Sequence, residues 1–234
     1  MITLKNLSKI YRTEDIETTA LNDINLVVNS GDFLAIMGPS GCGKSTLLSI
    51  LGMLESHTSG EYLFLDEDLT GKSEHNLSEI RKSNIGFIFQ SFNLIDDLTV
   101  FENVVLPLQY LGVPKEEREQ RTEAILKRVG IDHRANHLPQ FLSGGQQQRV
   151  AVARALVINP KVVLADEPTG NLDSKNGEDV MQLLRDLNSE GTTVIMVTHS
   201  EVDAQYGNRI VRLFDGKIIA EHSEKQVKEV DYAE

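Results

Sequence analysis

The stretch Gly38-Pro39-Ser40-Gly41-Cys42-Gly43-Lys44-Ser45 constrains this chain more than any other. Its spacing is G-x-x-x-x-G-K-[ST]. It stands between the apolar run Phe33 to Met37 and the segment Lys44 to Leu54. In that segment Leu47, Leu48, Ile50, Leu51 and Leu54 supply a buried helix face. A strand, a glycine loop and a helix in that order make a cradle for polyphosphate. Glycines let backbone N–H groups turn toward an anion without a Cβ in the way. The helix that follows directs its positive end at the same point. Lys44 would reach the β- and γ-phosphates, Ser45 would ligate Mg²⁺, and Thr46 would lie near the α-phosphate.

A second apolar run, Val162 to Ala165, ends in Asp166 and Glu167. Carboxylates at the C-terminal edge of a parallel strand face the place where α/β sheets bind ligands. A magnesium–nucleotide site needs one carboxylate for the metal shell and one group to orient or deprotonate water. Asp166 is assigned to Mg²⁺ through water, and Glu167 to the water nucleophile. A third β-branched run, Thr193 to Val197, leads through Thr198 to His199. Parallel packing would bring that imidazole to the same edge, within reach of a γ-phosphate.

Leu142-Ser143-Gly144-Gly145-Gln146 opens a long helical pattern. Ser143 and Gln146 have the spacing of a capping box. Two glycines in a first helical turn weaken the helix, so they suit a backbone that something must approach closely. A glycine-rich helix start carrying a hydroxyl is a second anion site. Because the first loop already serves a nucleotide's near side, this one should meet a nucleotide held by another subunit.

Ile2 to Leu7 and Leu21 to Val28 read as strands of an antiparallel sheet. About 75–155 reads mostly helical, with Lys115 to Val129 an amphipathic helix ended by Gly130. Val180, Leu183, Leu184 and Leu187 form a helix face stopped by Gly191, and Asp215-Gly216 signals a hairpin turn. The expected fold is α/β with a mainly parallel sheet. A core of about 1–88 and 160–220 would carry an inserted helical subdomain at 89–159 and a polar tail at 221–234.

The 234 residues suit a single domain. No run approaches 18 apolar residues, so the chain is not expected to span a bilayer by itself. One cysteine and no leader-like N-terminus point to the cytoplasm. The net charge of −12, with no basic run, disfavours nucleic acid and a polybasic membrane anchor. Attachment to a membrane would need another protein.

Taken together, these motifs resemble the ATP-binding cassette (ABC) ATPases. The phosphate loop, Leu142 to Gln146, Val162 to Glu167, Asn171-Leu172-Asp173 and His199 occur in that family's order, over about residues 2–220. The resemblance implies a P-loop NTPase core and hydrolysis of ATP with Mg²⁺. It implies that Tyr11 stacks on adenine. It implies that Gln90 touches Mg²⁺ and the water, and that Asp173 contacts a second subunit. Two copies would pack head to tail on binding ATP, each phosphate loop facing the other copy's Ser143 to Gln146. The partners would be integral membrane permease subunits on separate chains. They would hold the pair on the cytoplasmic face of the inner or plasma membrane.

More narrowly, Gly86 to Leu94, Glu102 to Leu108 and Leu164 to Asp173 resemble the lipoprotein-releasing and macrolide-exporting branch. Departures are Cys42 in place of the commoner Ser, Asp66-Glu67-Asp68 without a glycine, and Glu55-Ser56-His57-Thr58 without a proline. The apolar stretch Phe92, Leu94, Ile95, Leu98, Val100 and Phe101 is expected to contribute a groove for a permease helix. One rival function is a regulatory module that holds ATP without hydrolysing it, against which Glu167 and His199 argue; the other is a soluble cassette ATPase acting in DNA repair or on ribosomes. Such proteins carry long helical insertions or paired cassettes, and neither occurs here.

Overall fold

The computed structural model describes residues 1–13 and 16–223. In chain order the strands and helices are β1 (Ile2–Arg12), β2 (Glu17–Val28), β3 (Phe33–Met37), α1 (Lys44–Leu51), β4 (Ser59–Phe64), β5 (Glu67–Asp68), α2 (Glu74–Asn84), β6 (Ile85–Phe89), α3 (Val100–Tyr110), α4 (Lys115–Arg128), α5 (Gly144–Leu156), β7 (Val162–Asp166), α6 (Ser174–Ser189), β8 (Thr193–Thr198), α7 (Glu201–Ala204), β9 (Arg209–Phe214) and β10 (Lys217–Ser223). The described residues form two compact units: one within 1–78 and 193–223, and one of 79–192.

In the first unit, β1 pairs antiparallel with β2 and β4, and β4 with β5. Alternation along β1 and β2 buries Ile2, Leu4, Leu7, Leu21, Ile24, Leu26 and Val28. Register shifts fall between Leu4 and Ile10, where Asn6 and Asp23 take positive φ and bond to one another at 2.6 Å. The same unit holds β3, buried along its whole length, with β8 and β9 parallel on either side. Burial on both faces explains why β3 and β8 read as unbroken apolar runs. The β9–β10 hairpin turns at Asp215 and Gly216, both at positive φ, as the Asp-Gly pair predicts.

In the second unit, β6 and β7 pair in parallel and α5 packs on β6. Gly86 permits that approach, because a Cβ there would lie 2.4 Å from the Ala155 carbonyl oxygen. The helix α3 starts at a complete capping box of Thr99 and Glu102. Its buried Asn103 accepts from Ile95 N at 2.8 Å and donates to the carbonyls of Ile95, Leu98 and Thr99 at 3.0 Å, fixing the loop ahead of the helix.

The α/β class, the antiparallel N-terminal sheet and the helix-rich middle match expectation. Three details differ. The strand β6 lies inside the stretch that reads as mostly helical, because its pairing with β7 is a distant contact that local pattern does not encode. The helix α1 stops at Leu51 rather than Leu54, since Gly52 caps it and Met53 takes φ 56°. Strand β10 runs on to Ser223, past the expected boundary of the polar tail, as Glu221 accepts from Arg209 Nε at 3.0 Å. The rest of that tail, 224–234, lies outside the described residues. Among the described residues no helix is long and apolar enough to cross a membrane.

Candidate functional site

Tyr11, Gly38 to Thr46 and His199 belong to the first unit. Gln90, Ser143 to Gln146, Asp166, Glu167 and Asp173 belong to the second.

The phosphate loop leaves β3 at Met37 and closes on α1. A Cβ on Gly38 would sit 2.1 Å from the Leu213 carbonyl oxygen, and one on Gly43 would sit 2.5 Å from that of Ala20. Those two glycines are therefore required by the chain's own packing. Gly41 differs: it has φ 78°, and a Cβ there would meet nothing within 4 Å, so its backbone faces open space beside exposed Ser40. The Gly216 N–H donates to the Cys42 carbonyl at 3.0 Å, so the hairpin turn braces the loop from behind. Cys42 itself is buried.

Lys44 is also buried. Its Nζ donates to the carbonyls of Gly38 and Pro39, each at 2.8 Å, with the Cys42 sulfur 4.0 Å away. The ammonium is thereby held in the loop rather than swinging in solvent. The helix α1 has no side-chain cap and no acidic residue in its first turn. Its leading N–H groups keep their capacity to bind an anion. Ser45 is exposed at that helix start and Thr46 is half-buried.

Met37 pairs with Thr198 in the parallel β3–β8 register, so Gly38 and exposed His199 leave the sheet at one edge. Tyr11, at the end of β1, donates its hydroxyl to Glu55 at 2.7 Å, and Lys9 Nζ lies 4.9 Å from its ring centroid. Burial and the Glu55 carboxylate hold the phenol above its ordinary pKa, against a hydrogen bond with Thr46 that pulls it down.

In the second unit, Phe89 pairs with Asp166, so Gln90 and Glu167 emerge side by side. Asn171 joins them: its Nδ2 donates to the Gln90 carbonyl at 3.0 Å, and Gln90 Nε2 donates to its Oδ1 at 3.4 Å. Gly170 leaves room for that amide, since a Cβ there would lie 2.6 Å from Gln90 Nε2. Glu167 has φ 44°, a left-handed backbone that costs a residue with a side chain about 1–3 kcal/mol and tends to occur at functional positions. Its carbonyl accepts from Gly170 N at 3.0 Å.

Ser143 and Gln146 form the expected capping box. Ser143 Oγ accepts from Gln146 N at 3.3 Å, and Gln146 Oε1 accepts from Ser143 N at 3.1 Å. The hydroxyl proton is not used by this cap. The two glycines part company. A Cβ on Gly145 would meet Asn176 Oδ1 at 2.3 Å, so the close approach there comes from this chain. On Gly144 it would meet neighbours at 3.6–3.7 Å, ordinary contact. Asp173 caps α6, accepting from Asn176 N at 2.9 Å and from its Nδ2 at 2.7 Å. These bonds, the backbone one foremost, hold its carboxyl below the usual carboxylate range.

Among the described residues no group of three or more His, Cys, Asp or Glu forms a ready metal cage. Ser45 in the first unit, and Gln90 and Asp166 in the second, each carry an oxygen of the kind Mg²⁺ takes, a metal that keeps several waters and binds through one or two carboxylates and substrate phosphate.

Sequence reasoning missed Glu55, Asn171, Arg154 and Gln148. Arg154 on α5 donates to the carbonyls of Phe92 and Asn93 at 2.9 and 2.6 Å, just beyond Gln90. Gln148 is fully buried and donates to the Pro168 carbonyl at 2.6 Å. Asn171 stands in a motif named above, but its tie to Gln90 is not local, and no local pattern marks the other three, because their partners lie far along the chain. In the stretch expected to meet a permease, Val100 is buried in the core whereas Ile95 is 43% exposed.

Residues 21–170 match the ABC transporter family. An uncharacterized ABC transporter ATP-binding protein of Methanocaldococcus jannaschii, MJ1508, is 50% identical over 94% of this chain and 98% of its own length. The macrolide export ATP-binding/permease protein MacB of Azoarcus sp. is 45% identical over 100% of this chain, which spans 36% of MacB. The dimeric structure of MJ0796, a bacterial ABC transporter cassette, matches with TM-score 0.89 at 48% identity, covering 95% of this chain and 98% of that one. A dimer of the same cassette in a post-hydrolysis state, bound to ADP and Pi, matches with TM-score 0.88 at 46% identity over the same shares.

Proposed function

Because this chain belongs to the ABC transporter family, we propose that it hydrolyses ATP with Mg²⁺ as a head-to-tail dimer and so drives a membrane transporter of the lipoprotein-release or macrolide-export type. The carrying observation is the Lys44 ammonium, seated against the Gly38 and Pro39 carbonyls at the uncapped start of α1. A buried cation at an open helix N-terminus is an arrangement for a polyanion.

In this reading Tyr11 stacks on adenine, while the backbone of Gly38 to Gly43 and the side chains of Lys44 and Thr46 hold the phosphates. Ser40 belongs to the same loop. Ser45, Gln90 and Asp166 would hold Mg²⁺, Asp166 through water. When bound, Mg²⁺ neutralises charge building on the β- and γ-phosphate oxygens. Glu167 accepts the proton of the attacking water, and His199 and Gln90 orient that water and the γ-phosphate. Ser143, Gly144, Gly145 and Gln146 of a second copy close the site, with Asp173 at the same junction. Binding of ATP closes the pair and hydrolysis releases it. Work on the permease comes from the difference in binding between the two states.

The permease is taken to be a separate integral membrane protein that seats on a groove including Ile95 and keeps the cassette at the cytoplasmic face. The dimeric MJ0796 cassettes support the pairing of two copies, and MacB, an ATP-binding/permease protein of which this chain spans 36%, supports a permease as the partner.

The test is phosphate release with Mg-ATP. Lys44→Ala should abolish binding and turnover. Glu167→Gln should keep binding, trap an ATP-bound dimer and lose about 100- to 10,000-fold in rate. Near-normal turnover in Glu167→Gln would sink the assignment of the base. Recovery of the native protein from membranes without any integral partner would favour the soluble cassette instead.

A further inference from the structure

Gln148 lies in the second turn of α5, the helix that Ser143 opens, and is fully buried. Its Nε2 donates to the carbonyl of Pro168 at 2.6 Å and reaches that of Phe89 at 3.5 Å. Pro168 immediately follows Glu167, and Phe89 immediately precedes Gln90. One amide thus touches the backbone next to two of the side chains assigned to the attacking water, Glu167 and Gln90. The other end of that amide, Oε1, is buried with no hydrogen-bond partner.

Those facts oppose a packing role. A buried amide whose oxygen is unpaired is an unfavourable way to fill space, and an apolar side chain of the same length would avoid the penalty. What an apolar side chain would not supply is the bond to Pro168. That bond bears on a backbone under strain, since Glu167 has φ 44°. Such a conformation persists only where its surroundings over-determine it. The Gly170 N–H holds the Glu167 carbonyl from the loop side, and Gln148 holds the next carbonyl from the helix side.

We infer that Gln148 is a positioning residue for hydrolysis: it ties the Ser143 helix to the Pro168 carbonyl, one residue beyond Glu167, so that the helix and the catalytic carboxylate keep one fixed geometry. The inference rests on the reading of Glu167 as the base. Gln148 is expected to touch neither nucleotide nor water.

The experiment compares Gln148→Met, which keeps the length and removes the donor, with wild type at a temperature where both are folded by circular dichroism. The expected result is a fall in kcat of about 10- to 100-fold, the scale of a misplaced reacting group, with KM for ATP little changed. In a Glu167→Gln background the same substitution should have no further effect on the residual rate, because the carboxylate it positions is gone. An unchanged kcat, a loss confined to KM, or an equal loss in both backgrounds would overturn the inference. Should Gln148→Met fail to fold, Gln148→Glu keeps the shape and donates only while protonated. Its kcat relative to wild type should rise as pH falls, and a flat ratio would count against the role. Near-normal turnover in Glu167→Gln alone would overturn the underlying assignment instead, and it is read without any change at Gln148.

Discussion

Tyr11 donates its hydroxyl to Glu55 at 2.7 Å, and the same carboxylate pairs with Lys9 at 3.0 Å. Lys9 also donates to the Ser56 carbonyl at 2.7 Å and lies over the Tyr11 ring. Two side chains, Glu55 and Lys9, therefore fix the plane of a ring that stays 39% exposed. A ring held ready loses less freedom when a base stacks on it. Glu55→Ala should weaken ATP binding by about 2- to 10-fold, the equivalent of ordering one side chain. Tyr11→Phe should fall between that variant and wild type. Titration with a fluorescent ATP analogue measures both. The loss should fall on KM more than on kcat, and an unaltered affinity in Glu55→Ala would remove the brace from the account of nucleotide binding.

Asn103 carries a second prediction, on stability. It is completely buried and its amide satisfies backbone groups of Ile95, Leu98 and Thr99. Asn103→Ala would take the side-chain partner from Ile95 N and the Leu98 carbonyl, while the Ile95 and Thr99 carbonyls keep backbone donors, at a cost of about 1–3 kcal/mol. The urea midpoint should fall accordingly. The loop so loosened carries Ile95, the exposed apolar side chain assigned to the permease groove. Ile95→Glu, in contrast, should leave the urea midpoint near wild type and uncouple ATP hydrolysis from transport in reconstituted membranes. Loss of folding in Ile95→Glu would place that side chain in the core instead.

Much of this site is legible in the sequence because its signals are local. The loop from Gly38 to Ser45 declares a strand, a turn and a helix in one stretch, and Ser143 with Gln146 declares a cap. The Asp215-Gly216 turn and the end of α4 at Gly130 follow from backbone preference alone. What stays hidden is held by distant partners. Strand β6 needs β7 beside it, Tyr11 needs Glu55, and Gln148 needs Pro168. Even within the motifs, residue type conceals role. Gly38 and Gly43 read as ligand-facing glycines, yet the carbonyls of Leu213 and Ala20 require them, whereas Gly41 alone of the three faces open space.

Asp173 supplies a pH prediction. Hydrogen bonds from Asn176 hold its folded pKa below the unfolded value, which is about 3.9. A depressed carboxylate pKa contributes stability that is fully present above the unfolded value and disappears as pH falls through the folded one. Asp173→Asn keeps an acceptor for the cap but removes the charge. The stability difference between wild type and this variant should be constant from neutral pH down to about 5, then shrink below about 4. Urea unfolding across that range measures it. A difference that grows on acidification would show that the carboxylate is not stabilised by the cap.

Gly144 and Gly145 should respond oppositely to alanine. At Gly145 a methyl group would stand 2.3 Å from Asn176 Oδ1, and Asn176 is itself tied to Asp173 at 2.7 Å. It cannot simply swing away, so Gly145→Ala should lower the unfolding midpoint of the isolated chain. At Gly144 the nearest atoms lie at 3.6–3.7 Å, and alanine is the better helix former by up to about 1 kcal/mol. Gly144→Ala should therefore fold at least as stably as wild type. Among the described residues nothing crowds a side chain there, and the proposed approach of a nucleotide carried by a second copy would account for the glycine. The variant should bind Mg-ATP as a monomer yet fail to dimerise on ATP in the Glu167→Gln background. Sedimentation of that double variant with ATP decides the matter. A normal ATP-bound dimer would show that the start of α5 does not close a neighbour's site.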